Sequence, residues 1–257
     1  MSRGRVMRLA FISDIHGNLP ALDAVLADIS LREVDATYHL GDLVGYGPWP
    51  NEVIDRIRAR GIAGIAGNYD TTVALGHDTC GCQHDDPVRK ALSVESYRWT
   101  AAKVSPGNKR FLASLPFRLD LRPFGGHEAG PAVIIVHGAA TLNTVYWRED
   151  RTESFCRKMI ARLGAKAGDV VLFGHTHKPW SRVVDGRTLV NTGSVGRPKD
   201  GDPRGSYAVV DLGAGGAEIR FPRVAYDLDR ASAAIVAAGL PPALGALLRT
   251  GGLRTSD

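Results

Sequence analysis

No stretch of the 257-residue chain approaches the roughly 20 consecutive apolar residues that a membrane-spanning helix needs. Cysteine is scarce. Cys80, Cys82 and Cys156 are an odd and sparse set, which argues against a disulfide scaffold and for a reducing compartment. Near the start, the apolar run Leu9–Ile12 is too short for a secretory leader and is soon followed by Asp14, so a cytoplasmic protein is expected. Charge of one sign is not in large excess: 32 Lys and Arg stand against 27 Asp and Glu, a net of +5. There is no long basic run and no basic stripe interleaved with aromatics. This balance suits an anionic substrate and is only weak evidence for a nucleic-acid partner, while the missing apolar span argues against a membrane. Internal repeats and low-complexity tracts are absent, and nothing in the pattern specifies an oligomer.

What is present is a core-forming chain, 44% hydrophobic, in which short apolar runs alternate with helical patterns. Residues 6–13 read as a first buried strand. Asn18 can cap a helix with Pro20 in its first turn, and Leu22, Val25, Leu26 and Ile29 recur at helical spacing. Residues 36–40 read as a second strand, the segment from Pro50 to Gly61 as a second helix and residues 62–66 as a third strand. This order predicts parallel pairing through right-handed crossovers. Residues 76–87 read as an irregular loop, followed by helices over 87–102 and 106–114. The expectation is one α/β domain over 1–257, with a loop-helical insert near 76–115 covering the site. Further strands are expected at 132–136, 170–173, 182–184, 188–191, 207–212 and 217–224, with the late ones antiparallel. A helix is expected near 152–163. Asp185-Gly186 marks a two-residue hairpin, and Asp227 caps a final helical region.

Polar residues of metal-ligand type follow these apolar runs directly: Asp14-Ile15-His16, Gly41-Asp42, Gly67-Asn68-Tyr69-Asp70, His137-Gly138 and Gly174-His175-Thr176-His177. In open α/β sheets ligands collect at the carboxyl ends of strands. Five such ends bring seven donors together: Asp14, His16, Asp42, Asn68, His137, His175 and His177. On extended chain, residues two apart point the same way, so each of the two pairs can grip from one short segment. The neighbouring glycines leave room beside the ligands. A mixed Asp/His/Asn set suits Mn, Fe, Zn, Ni or Co. Two such ions about 3.5–4 Å apart can clamp a phosphate, with Asp42 as the bridging carboxylate. Taken singly, most of these residues read better as a capped turn or a satisfied polar group; the ordered set does not.

In this order the motifs resemble the calcineurin-like metallophosphoesterase superfamily over residues 6–212. Gly45-Tyr46-Gly47-Pro48 and Asn191-Thr192-Gly193-Ser194-Val195-Gly196 resemble its small bacterial and archaeal phosphodiesterase-like branch. The resemblance implies two stacked mixed β-sheets flanked by helices, a four-layer fold. It implies two divalent transition-metal ions as cofactors. Asp14, His16 and His177 would hold one, Asn68, His137 and His175 the other, with Asp42 shared and a bridging hydroxide as nucleophile. The expected activity is hydrolysis of small or nucleotide-like phosphodiesters. A phosphomonoesterase, a dinucleoside polyphosphate hydrolase and a non-catalytic scaffold are the alternatives.

Many members carry histidine after the asparagine ligand, as an acid for the leaving oxygen. Here Tyr69 stands there, a poor acid at neutral pH, which favours diesters or anhydrides. Asp42, Asn68, Asp70 and Tyr69 are the candidate catalytic residues, with Asp70 as a support that orients a ligand. Arg197 is a candidate for substrate phosphate, or else a solvated loop charge, and Tyr46 stands beside it. Cys80, Cys82 and His84 form either a packed loop or a further metal site, and Cys80 and Cys82 are expected to be too close in sequence to pair easily.

Overall fold

A computed structural model describes residues 6–83, 86–123, 130–213 and 216–253. The first half runs β1 (Met7–Ile12), α1 (Leu19–Ser30), β2 (Ala36–His39), α2 (Pro50–Ala59), β3 (Ala63–Gly64), α3 (Asn68–Leu75), α4 (Pro87–Lys103), α5 (Pro106–Ser114) and β4 (Arg118–Leu121). The second half runs β5 (Val133–Val136), α6 (Glu153–Leu163), β6 (Val170–Phe173), β7 (Pro179–Val184), β8 (Arg187–Thr192), β9 (Gly205–Ser206), β10 (Ala208–Gly213), β11 (Gly216–Arg220), β12 (Arg223–Val224), α7 (Leu228–Ala237) and α8 (Pro242–Arg249).

Strand alternation sorts the apolar residues into layers. Leu9 and Phe11 of β1 face inward with Val133, Ile135, Val170 and Leu172, so two five-stranded sheets pack face to face. The opposite faces of the same strands, Ala10 and Ile12 or Ile134 and Val136, are covered by helices. α1, α2, α7 and α8 lie over the first sheet, and α6 with Trp147 over the second. The first sheet has the order β11-β10-β1-β2-β3 and the second β4-β5-β6-β8-β7. The chain thus forms the four-layer arrangement of two mixed sheets flanked by helices. Each fully buried Leu, Ile or Phe in these layers contributes about 1.5–3 kcal/mol.

Local signals account for most boundaries. Asn18 caps α1 by accepting from the Ala21 amide, and Thr152 caps α6 through the Phe155 amide. Asp185 and Gly186 both take positive φ, 47° and 75°, as a hairpin turn of matching twist requires.

Two expectations are corrected and one helix is added. Although β7 and β10 run antiparallel to their neighbours, β8 is parallel to β6, because the β7–β8 hairpin folds β7 to the outer edge. Residues 217–224 do not form one strand: the chain breaks at Phe221-Pro222, and β11 pairs with β10 while β12 pairs with β9. A helix, α3, begins at Asn68 itself. Tyr97 of α4 and Leu112 of α5 join the same apolar cluster as α1 and α2. Among the described residues no helix is long and apolar enough to cross a membrane.

Candidate metal centre

The ends of β1, β2, β5 and β6, the start of α3 and the loop after β8 meet in one crevice. Two buried groups form there. In Asp14, His16 and His177, and again in Asp42, His137 and His175, one ligand atom from each residue lies within 4.8 Å of the others. Asp42 Oδ2 touches both groups, at 3.7 Å from His16 Nε2 and 3.4 Å from His137 Nε2. Asn68 Oδ1 lies 3.2 Å from His137 Nε2, while its Nδ2 donates to the Cys80 carbonyl oxygen at 3.0 Å and contacts Cys82 Sγ at 3.1 Å. All seven motif residues therefore meet at the crevice.

The backbone that delivers them is not the extended chain expected. Asp14, His16, Asp42, Tyr46, His175 and His177 all have φ between 50° and 64°, in the left-handed region. Each such residue costs on the order of 1–3 kcal/mol and persists only where its surroundings over-determine it. The strain is fixed by cross-strand bonds: the Asp14 amide donates to the Gly41 carbonyl and the His16 amide to the Asp42 carbonyl. Glycine is required at two close approaches. A Cβ on Gly67 would collide with Asp42 Oδ1, and one on Gly174 with Ser13 Oγ and Asp14 Oδ2. Asn191 ties down the His175–His177 turn by donating to the Gly174 carbonyl at 2.7 Å.

Hydrogen bonding turns the histidines toward each other. The Nδ1 atoms of His16, His137 and His177 face the carbonyl oxygens of Val44, Leu40 and Arg197 at 3.0, 2.7 and 2.6 Å. A ring that donates from Nδ1 presents an Nε2 lone pair, and these lone pairs converge on carboxylate and amide oxygens. His16 and His177 even bring their Nε2 atoms to 3.2 Å. Asp14 Oδ1 and His175 Nε2 are buried without a hydrogen-bond partner. Acceptors facing acceptors in a buried site call for cations between them, and this donor set fits two divalent metals.

The proton affinities agree. Burial pushes His16 and His175 well below the usual imidazole range, and burial with Lys199 lowers His177, so these rings are neutral and ready to ligate. Burial opposes charge on Asp14, but His177, with His137 and His16, holds its carboxyl well below the ordinary range. His137 is the exception. Burial lowers it, yet Asp42 and Asp14 outweigh burial and raise it to about 9, so without a metal one proton supplies part of the missing positive charge.

The remaining candidates surround this centre. Asp70 accepts from the amides of Leu43 and Gly67 at 2.9 and 3.0 Å, joining the Asp42 loop to the start of α3; burial and Asp42 raise its carboxyl to about 7. The Tyr69 ring packs 5.4 Å from His16, but its hydroxyl bonds Ser93 at 2.9 Å and is turned to the α4 side. The Tyr46 hydroxyl also bonds Ser93, and the Arg197 guanidinium lies 3.7 Å above the Tyr46 ring. Arg197 Nη1 is buried without a partner. Cys80 and Cys82 are paired as a disulfide, contrary to expectation: Gly81, at φ 69°, folds the turn so that their Cα atoms stand 5.3 Å apart. His84 lies outside the described residues. Sequence reasoning overlooked Tyr146, whose ring lies 4.3 Å from that of His175, and Lys199, which burial and Arg197 lower to about 7. Both sit on loops whose paths only the fold determines.

Buried imidazoles and carboxylates at the strand ends of a four-layer sandwich are the arrangement of a metal-dependent phosphoesterase. Residues 7–215 match the calcineurin-like phosphoesterase superfamily domain, and the chain belongs to that superfamily as a phosphate-ester hydrolase. It is 32% identical to the uncharacterized protein MJ0912 of Methanocaldococcus jannaschii, over 95% of this chain and 98% of that one. It is 25% identical to the phosphodiesterase YfcE of Escherichia coli, over 80% and 88% of the two chains, in keeping with the small bacterial and archaeal branch. Among solved structures, a metallophosphoesterase from Sphaerobacter thermophilus superposes with a TM-score of 0.72 at 30% identity, over 96% of this chain and all of that one.

Proposed function

We propose that the chain hydrolyses small or nucleotide-like phosphodiesters at a centre of two divalent transition-metal ions, in the cytoplasm. The observation that carries this reading is the convergence of Nε2 lone pairs and buried oxygens in two groups that both touch Asp42. Two ions bound there supply Lewis acidity toward a phosphoryl oxygen and make water acidic enough to serve as nucleophile near neutral pH. Asp14, His16 and His177 would hold one ion and Asn68, His137 and His175 the other, with Asp42 common to both. Mn, Fe, Zn, Ni and Co all accept this donor set.

The chain's own residues supply the rest. Arg197, steadied on the Tyr46 ring, has a free Nη1 for a non-bridging phosphoryl oxygen. Asp70 aligns Asn68 with Asp42 by holding the Gly67 and Leu43 amides. The preference for diesters rests on position 69. Burial raises the Tyr69 hydroxyl well above its ordinary value and Ser93 engages it, so it is a poor proton donor to a leaving oxygen. Tyr69 then serves as packing beneath His16. Substrates with acidic leaving groups need least help, and the phosphodiesterase name of YfcE points the same way. Residues 76–115 act in this reading as one wall of a single catalytic domain, since Ser96 of α4 accepts from the Tyr46 amide at 2.7 Å. The substrate is a small ester, without membrane or nucleic-acid partners.

The test compares hydrolysis of bis-p-nitrophenyl phosphate and p-nitrophenyl phosphate with added Mn²⁺ and with a chelator. Chelator-sensitive preference for the diester is expected. Preference for the monoester would overturn the argument from Tyr69, and no metal-dependent turnover of either would overturn the reading itself.

A further inference from the structure

Beside the metal centre, on the His175 side, a groove of about 660 Å³ opens between the loop after β5 and the loop after β8. Two of its lining residues adjoin the metal-ligand histidines. Tyr146 lines it and lies against His175, Thr176 sits between His175 and His177, and the Lys199 amide donates to the His177 carbonyl. Three cationic side chains line this groove: Arg148, Lys178 and Lys199. Lys199 is half-buried, yet its ammonium makes no hydrogen bond and no ion pair among the described residues. An unpaired ammonium out of full contact with water gives up its proton unless an anion comes to it.

The nearby carboxylates do not fill that need. Asp14 and Asp42 act on Lys199 electrostatically, but both are turned to the histidines as ligands. Two carboxylate ligands only partly offset two divalent ions, and Arg197 adds to the surplus. A phosphodiester brings a single negative charge. Glu149 and Asp150 also line the groove, but both are exposed, as is Arg148 before them. The less exposed Lys199 and Thr176 are left to an anion.

We propose that this groove is a second anion subsite, in which Lys199, with Lys178 and Arg148 at the rim, holds a phosphoryl group adjacent to the one hydrolysed. The substrate class is then a phosphoanhydride ester of the nucleoside di- or polyphosphate kind. An internal phosphoryl group of such a chain is doubly substituted, as in a diester, so the subsite rests on the activity proposed above and narrows it. Tyr146, between His175 and the Arg148 guanidinium 5.5 Å from its ring, joins the two sites.

Calorimetric titration of the Mn²⁺-loaded protein with methylphosphonate and with methylenediphosphonate, at constant free Mn²⁺, tests the subsite without turnover. The wild type is expected to bind the diphosphonate at least ~10-fold more tightly, a difference of about 1.4 kcal/mol. Lys199→Gln should bring the two affinities within roughly 3-fold, while Lys199→Arg keeps most of the ratio. Lys178→Gln, at an exposed position that folding does not depend on, should lower the ratio about 3-fold. Equal affinities in the wild type, or an unchanged ratio in Lys199→Gln, would overturn the subsite. Bis-p-nitrophenyl phosphate hydrolysis by the same preparation reports separately. An inert protein that keeps the ratio retains the subsite and loses the diesterase reading, and an active one without the ratio does the reverse.

Discussion

On one side of the crevice, Asp14, His16, Asp42, His175 and His177 stand at strand ends with left-handed backbone, each held by bonds from a neighbouring strand or loop. On the other, Tyr46, Tyr69, Ser93 and Cys80 form a wall whose polar atoms bond one another: both tyrosine hydroxyls meet Ser93, and Cys80 Sγ lies 3.6 Å from it. The first side has acceptors without donors and so calls for cations. The second is already satisfied and calls for nothing. Asn68 and Tyr69, adjacent in sequence, fall on opposite sides of this divide. Chemistry is therefore assigned by unmet bonding capacity, which residue type alone does not reveal.

The largest effect should come from the unsatisfied side. Asp42→Asn removes the charge common to both groups, and a loss of kcat on the order of 10³-fold or more is expected, with the fold retained by circular dichroism. Full activity in that variant would remove Asp42 from its bridging place. Arg197→Ala takes away a cation that meets substrate directly, and kcat/KM should fall roughly 30- to 100-fold, between about 2 and 2.7 kcal/mol. Tyr69→Phe probes the satisfied side. It deletes one bond to Ser93 and should cost about 0.5–1.5 kcal/mol of stability, read by urea unfolding, while kcat stays within roughly 3-fold. A large loss of kcat there would return Tyr69 to a proton-transfer role and blur the two sides.

The smallest signal is a proton. In the metal-free chain His137 is raised from 6.5 to about 9, so its protonated form adds stability that is complete below pH 6.5 and lost as pH rises through about 9. Metal competes for the same Nε2. Metal uptake in weak buffer should release about one proton more per chain at pH 7.5 than well above pH 9, the difference coming from this ring. A release independent of pH between 7 and 10 would contradict the assignment.

Much of this arrangement is legible in the bare sequence, because it depends on short-range signals. Apolar runs that end in Asp, His or Gly-Asn mark the strand ends, and Asn18, Thr152 and Asp185-Gly186 mark caps and a turn. What is not legible depends on long-range packing. β4, with the sequence Arg-Leu-Asp-Leu, becomes a strand only by pairing with β5. The register of β8 beside β6 depends on the hairpin's choice of edge. The turn at Gly81, the stacking of Tyr146 on His175 and the unpaired Lys199 belong to loops that meet only after the two sheets are stacked. Even the ligand pairs converge for a reason other than their spacing suggests: left-handed turns, not extended chain, aim Asp14 and His16 together.

The most direct measurement is the metal content of the purified chain after loading with Mn²⁺ and dialysis, by elemental analysis, alongside Asp42→Asn. Two ions per wild-type chain, with fewer in the variant, is the result predicted for a centre that shares Asp42. One ion or none in the wild type would contradict it.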